Sequence, residues 1–488
     1  MSSRSSVVKN SFAYTIGNLL LKAFSFFLIP LYTSYLSTEQ YGVLNLASSF
    51  SSVLSMMLMM GLQYSVVRFF ADYSNDQEKV VKMFSSVICF ISAFSLVISC
   101  LLILLRNYWS TYVFDGISFY PIVLLSILIS VVQGLYMVYQ DILKGMQDVK
   151  RSILLTYLFF FLLLGSNICT VVIFRLGALG VLYSTFIVNS IMIILMFVDL
   201  VRRHLFAFTI DLGMLKNLFK YSFPLVPHTM AYTVSNYATR IAISNKMSLS
   251  MLGVYSLSSQ FGNLGDIILN SIQSAFQPWV FNRLNDCDGD KTDDIANTSY
   301  MLMWVYGLFF IIVGVFSQEA IILMADKSYI ESWVYVPLIV LSVAIKSPLY
   351  FYNNFIYYDK RKTKYQFYIT VITSIICIVF TFLFVPSYGI FGAVVASIIS
   401  MIIRLGLILL VIYREAKRYY SIVKLHVLFI IPMLFMGIAL IPSYYVFHST
   451  VSIINIIYKL SVCILYIVLI YHLYKDQILN YLMKIRHK

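Results

Sequence analysis

Five cations fall inside long apolar stretches of this 488-residue chain: Lys22, Arg240, Lys346, Arg404 and Lys459. A charge in hydrocarbon costs about 2.5–3.5 kcal/mol even on the lenient insertion scale, so each needs a partner, a route to the interface or a task. Lys22 and Lys346 fall near the middle of their stretches and Arg404 lies deep. Arg240 and Lys459 fall near outer ends, where a long side chain can snorkel to the interface. On that reading, Lys459→Ala is expected to be close to silent. Asp266 reads as the acid of comparable depth. It is either the fixed partner of Lys346 or Arg404, or a residue that couples a proton or cation to movement. Lys22 is left over in both cases. An uncompensated cation beside polar side chains suits an anionic substrate such as a phosphate.

The polar residues near these charges recur at helical spacing. Ser259, Asn263, Asp266, Asn270 and Gln273 are spaced 4, 3, 4 and 3, which puts them on one face of one helix. Ser11, Asn18, Lys22 and Ser25 repeat the idea, as do Asn45, Ser48, Ser52, Ser55 and Gln63, and His228, Tyr232, Asn236 and Arg240. Serines on such faces serve as packing glue between helices. Amides and a carboxylate need water or strong partners, so the stripe through Asp266 predicts a hydrated cavity. Catalytic motifs are missing: the six histidines lack paired-ligand spacing, the six cysteines form no CxxC, and there is no P-loop. The acidic run Asp286, Asp288, Asp290, Asp293 and Asp294 lacks the calcium-loop pattern and reads as a solvated loop. The chain is therefore expected to be no enzyme and to need no cofactor.

The elements that carry these residues must be membrane spans. Hydrophobic residues make up 60% of the chain and charged residues 11%, with a mean hydropathy of +0.85, which excludes a soluble globule. Stretches of about 20 apolar residues predict spans at 12–36, 41–67, 83–105, 119–140, 153–174, 178–200, 217–243, 252–276, 297–324, 334–358, 365–385, 390–412, 425–446 and 453–474. The first is too long for a signal peptide and carries Lys22. With both termini cytoplasmic, the inner segments carry 26 of the 35 Lys and Arg, the outer loops four and the spans five. That asymmetry sets the orientation and explains the net charge of +14 without nucleic acid. A secondary reading of the basic loops is recognition of anionic headgroups.

Sliding the chain on itself by about 211 residues aligns Gly42 with Gly253 and Phe12 with Phe223; by 212, Gly177 and Gly180 meet Gly389 and Gly392. The expected architecture is an all-α polytopic membrane protein with 14 transmembrane helices. Two six-helix bundles, residues 1–206 and 207–420, are related by a parallel pseudo-two-fold repeat, and 421–488 adds two helices and a tail. Such repeats usually enclose a transport cavity. Pro224, Pro227 and Pro348 are expected to interrupt helices near the charged residues.

Several segments resemble the polysaccharide flippases of the multidrug/oligosaccharidyl-lipid/polysaccharide exporter superfamily, of the O-antigen and capsule transporter type. They are Leu31–Tyr32–Thr33–Ser34–Tyr35–Leu36–Ser37 with Tyr41–Gly42–Val43, Lys220–Tyr221–Ser222–Phe223–Pro224–Leu225–Val226–Pro227, Leu252–Gly253–Val254–Tyr255–Ser256, Gln277–Pro278–Trp279 and Gly389–Ile390–Phe391–Gly392–Ala393. The resemblance implies outward movement of undecaprenyl-pyrophosphate-linked oligosaccharides across a bacterial cytoplasmic membrane by alternating access. It implies coupling to H+ or Na+, a polymerase and glycosyltransferases as pathway partners, and a cavity lined by the first, second, seventh and eighth spans. Lys22, Arg240, Lys346 and Arg404 are the expected anion-binding residues. Asn18, Gln63, Tyr232, Asn236, Tyr255, Asn263 and Asn270 are the expected polar contacts, and Asp266 is the coupling candidate. Where many relatives carry Asp-Arg late in the seventh span, this chain has Thr239–Arg240, which leaves no acid at that point. A cation-coupled multidrug exporter and a non-transporting membrane scaffold are the alternatives.

Overall fold

The computed structural model describes residues 26, 28–114, 116–285 and 291–486, with no account of side chains at 291 and from 474 onward. Residues 12–25 and 27 of the expected first span lie outside the described residues, and its end is a helix, Leu28–Tyr35. Ser11, Asn18, Lys22 and Ser25 also lie outside them, as do Asp286, Asp288 and Asp290 of the acidic run.

The described residues are helical with no strand. They form two compact units, Met1–Gly253 and Val254–Lys488. The first holds α1 (Thr38–Met59), α2 (Leu62–Tyr73), α3 (Gln77–Leu104), α4 (Leu124–Gly145), α5 (Val149–Asn167), α6 (Gly177–Arg202), α7 (Leu212–Ser222) and α8 (Val226–Lys246). Polar residues at the water-facing breaks start these helices. Ser37, Asp76, Asp148 and Asp211 accept hydrogen bonds from the amides of Gln40, Lys79, Arg151 and Met214 at 3.2, 3.1, 3.3 and 2.9 Å. Hydrogen bonds from Lys79 also hold the Asp76 carboxyl below its usual range. The core of this unit packs Met59, Leu62, Phe84, Tyr139, Met196 and Leu218.

Beyond it run α9 (Leu249–Asn285), α10 (Lys291–Val315), α11 (Ser317–Met324), α12 (Ser332–Ala344), α13 (Lys346–Tyr358), α14 (Thr363–Tyr419), α15 (Ile422–Tyr445) and α16 (Ile453–Arg486). Ten helices among the described residues are long and apolar enough to cross a membrane. The 57-residue α14 is two expected spans in one: its backbone leaves helical geometry at Gly389 (φ 58°) and folds back. Ser400 Oγ then donates to the Thr373 carbonyl at 2.6 Å, and Lys362 pairs with Glu415. The expected seventh and eighth spans are helical, as α8 and α9, but their polar faces keep them out of that apolar set.

Breaks explain the other departures. The expected span 41–67 is two helices, because Met60 (φ 47°) and Gly61 (φ 74°) are both left-handed. Any L side chain strains that geometry and glycine does not. Pro348 ends α12 at Ala344, four residues earlier, where its ring would meet the carbonyl and its nitrogen offers no donor. Pro224 and Pro227 likewise put a 3-10 turn, Phe223–Leu225, between α7 and α8.

The repeat is visible in backbone detail. Gly177 and Gly389 share φ 58°. A Cβ on Gly180 would crowd the Thr170 carbonyl, and one on Gly392 the Phe384 carbonyl. Ser51 of α1 donates to Ser126 O at the start of α4 at 2.8 Å; Ser258 of α9 donates to Ser332 O at the start of α12 at 2.7 Å. Within the first unit, a Cβ on Gly42 would overlap the Leu249 carbonyl and a Cβ on Gly253 the Thr38 carbonyl, while the Thr38 and Ser250 hydroxyls touch.

Candidate functional site

In the first unit, Tyr232, Asn236 and Arg240 follow one another by four along α8, on one face. Tyr232 and Asn236 are exposed and Arg240 is half-buried. The Arg240 guanidinium donates to Ser49 Oγ of α1, and Ser49 in turn donates to the Asn45 carbonyl at 2.7 Å. Ser49 was not among the residues singled out from the sequence, since it lies off the Asn45–Ser52 stripe. Ser52 and Ser55 bond back to their own helix, so the glue role falls to Ser51 and, on α2, to Ser65, which donates to Leu218 O at 2.8 Å. Gln63 stands on α2 beyond the Met60–Gly61 break, 6% exposed, with its Oε1 lacking a hydrogen-bond partner. The structure therefore separates it from the α1 stripe.

The second unit resolves the choice of partner for Asp266. Lys346 Nζ lies 2.7 and 2.9 Å from the two Asp266 oxygens. Four residues on, Tyr350 OH donates to Asn270 Oδ1 at 3.0 Å, and Gln273 Nε2 donates to Asn354 Oδ1 at 2.5 Å. The three rungs hold a nearly constant sequence separation of 80 or 81, which is what two parallel helices, α9 and α13, require. The stripe read from the sequence is thus in part a ladder between helices. Asn270 and Asn263 remain exposed, Tyr255 is half-buried, and Asn263 donates to Gln260 at 3.1 Å. Arg404, on the second arm of α14, donates to Thr370 Oγ1 of the first arm at 3.2 Å.

Lys459 corrects an expectation. It is 0% exposed, enclosed by protein rather than free to snorkel. Its Nζ lies 2.6 and 2.8 Å from the Glu319 carboxylate and 3.0 Å from Gln318 Oε1, all buried. Asn455 adds a bond to Ser443 Oγ at 3.1 Å, so α11, α15 and α16 meet on this cluster. Asp266 is therefore not the only acid within an expected span that pairs with a lysine, and Lys459→Ala cannot be silent.

Comparison with known proteins places this helical scaffold. The model of a family described as "Polysaccharide biosynthesis protein" matches residues 7–283, more than half of the chain. The chain belongs to this family. No curated protein matches it by sequence. Among solved structures, this family member is similar to the lipid II flippase MurJ in an inward closed conformation, with a TM-score of 0.68 and 14% identity over 96% of this chain and 100% of that one. It is also similar to an inward-facing multidrug resistance MATE transporter of the MOP superfamily, with a TM-score of 0.62 and 13% identity over 82% and 95%. A Vibrio cholerae MATE transporter, VcmN in the bent form, matches with a TM-score of 0.53 and 14% identity over 86% and 100%. This family member is thus a multi-pass membrane protein with the fold of those transporters and that flippase.

Proposed function

We propose that the protein moves undecaprenyl-pyrophosphate-linked oligosaccharide repeat units from the inner to the outer leaflet of a bacterial cytoplasmic membrane, with both termini cytoplasmic. The observation that carries this reading is an arginine, Arg240, set with Tyr232 and Asn236 on one face of α8 in a chain of the polysaccharide biosynthesis family. Guanidinium groups suit phosphate oxygens, and tyrosine and asparagine suit sugar hydroxyls. Lys22 would share the pyrophosphate, the polar residues of α1, α8 and α9 would take the sugars, and the lipid tail would stay in the bilayer. The halves 1–206 and 207–420 would rock to alternate access, with 421–488 appended. A polymerase and glycosyltransferases would supply and consume the glycan.

Depletion of the protein tests this. A complete lipid-linked unit should accumulate on the cytoplasmic leaflet. An incomplete unit, or none, would sink the reading. In vesicles the protein should translocate a pyrophosphate-linked glycan and not a lipophilic cation. The reverse result would make it a drug exporter, which the MATE likeness keeps in view, and neither activity in folded protein would make it a scaffold.

Lys22→Ala should lower flipping at least tenfold (about 1.4 kcal/mol or more in the transition state) at near-normal protein level, while Lys22→Arg keeps part of it. Glycan export and the amount of protein in the membrane, scored together, check this. A fully active Lys22→Ala protein would return Lys22 to a structural role.

Asp266 is the residue proposed to couple H+ or Na+, by exchanging Lys346 for the ion. Asp266→Asn should then remove the dependence of transport on the ion gradient. If the variant accumulates normally and keeps the wild-type ion dependence, the coupling role is wrong.

A further inference from the structure

The repeat supplies an internal control for surface charge, because each half ends its fifth and sixth spans in a matching corner. In the first unit the corner is made by the start of α5 and the end of α6. Acids sit among its cations: Arg151 pairs with Asp199 at 2.5 Å, and Arg203 reaches Asp148 at 2.7 Å and Asp199 at 3.2 Å. Tyr139 adds a hydrogen bond to Asp199 at 2.6 Å. Lys150 and Arg202 are the exposed cations left over.

The corner of the second unit is made by the start and end of α14. Residues 359–364 carry four cations and residues 413–424 carry four more, against two acids. Both acids are engaged, Asp359 with Arg361 at 3.6 Å and Glu415 with Lys362. Among the described residues, Lys360, Lys364, Arg414, Lys417 and Arg418 meet no acid within salt-bridge reach, and all five are exposed. Tyrosines stand between them: Tyr365, Tyr368 and Tyr413 are 41%, 57% and 54% exposed. Lys364 lies 5.3 Å over the Tyr365 ring and Arg418 lies 5.8 Å over Tyr419.

A charge bias that only sets orientation is already met by the first corner. The second carries a surplus that its own acids do not offset, at helix ends where tyrosine marks the boundary between hydrocarbon and headgroup. We infer that this corner binds anionic phospholipids of the adjoining leaflet, with phosphodiester oxygens held by Lys360, Lys364, Lys417 and Arg418 and the glycerol region resting on the tyrosines. The lipid would anchor both arms of α14 at once, and so would set how firmly the arm carrying Arg404 is held. The inference does not depend on the substrate or on which leaflet the corner meets.

The test uses the purified full chain with phosphatidylglycerol or phosphatidylcholine, bound lipid being counted by native mass spectrometry. Phosphatidylglycerol should be retained in preference, and raising the salt should release it. Combined Lys360→Gln, Lys364→Gln, Lys417→Gln and Arg418→Gln should weaken phosphatidylglycerol binding at least about tenfold. The same four changed conservatively, lysines to arginine and arginine to lysine, should retain it. Combined Lys150→Gln and Arg202→Gln should change it by less than about threefold. Equal retention of the two lipids by the wild type, salt-independent binding, or equal losses at the two corners would each overturn the inference. So would unchanged lipid binding by the glutamine variant with loss of an acidic protein from the isolated complex, which would make the corner a protein dock.

Discussion

Replacing Lys459 by alanine should remove most of the folded protein from the membrane. The substitution leaves Glu319 and Gln318 buried without the ammonium that bridges them at 2.6–3.0 Å. Breaking a buried pair by deleting one partner costs about 3–5 kcal/mol. The melting midpoint of whatever protein survives in detergent should fall by about 3–5 °C. Removing the partner charge as well changes the sign of the argument. Lys459→Met combined with Glu319→Met puts apolar volume where two charges were, and such replacements are often neutral or stabilising. The double variant should therefore recover much of the lost protein. Protein level and melting midpoint read both effects, and a wild-type midpoint for Lys459→Ala would show that the cluster holds nothing together.

Arg240→Ala should abolish glycan flipping while protein level stays within about twofold of wild type. The arginine is half-buried and donates to the Ser49 hydroxyl, while α8 is packed through the buried Tyr237, Thr239, Ala242 and Ile243, which the substitution leaves in place. Loss of a charged group that holds pyrophosphate in a desolvated site costs about 2–5 kcal/mol, or roughly 30-fold or more in transport. Arg240→Lys should keep part of the activity, since charge survives and the two-pronged fork does not. Ser49→Ala, which removes one tether of the guanidinium, should have a smaller effect, visible in the apparent affinity for the glycan before the maximal rate. Transport by Arg240→Ala at the wild-type rate would remove the central claim for this face.

The helices were largely legible because hydropathy and turn chemistry are local. Gly177 and Gly389, Pro224 and Pro227, and Pro348 each mark a break that the structure places at or near them. The Met60–Gly61 break was not legible: a left-handed methionine has no compositional signal, and one glycine in an apolar run is ordinary. The polar stripe of α9 was found correctly as a face. Of what it faces, charge points to Lys346 as one of two candidate partners, but Tyr350 and Asn354 are about 80 residues away and only packing brings them in. The Lys459–Glu319 pair was missed for a different reason. Both residues stand near the outer ends of their expected spans, a position that permits snorkelling, and their separation of 140 residues hides the match in depth. An acid and a base at equal depth in two spans was the available signal.

The contact between Gly42 and Leu249 and that between Gly253 and Thr38 are one contact seen from its two sides. Moving Thr38 and Gly42 forward by 211 residues yields Leu249 and Gly253, so each side presents the same patch to the other. Self-complementarity of this kind is the signature of two identical subunits meeting on a two-fold axis, where whatever residue i touches is touched back by its copy. A single chain has no need of it. The pattern instead pairs two equivalent stretches of one chain, each the other's mate in the 211-residue repeat. Both glycines therefore answer to one constraint: a side chain at either would push the same two helix starts apart.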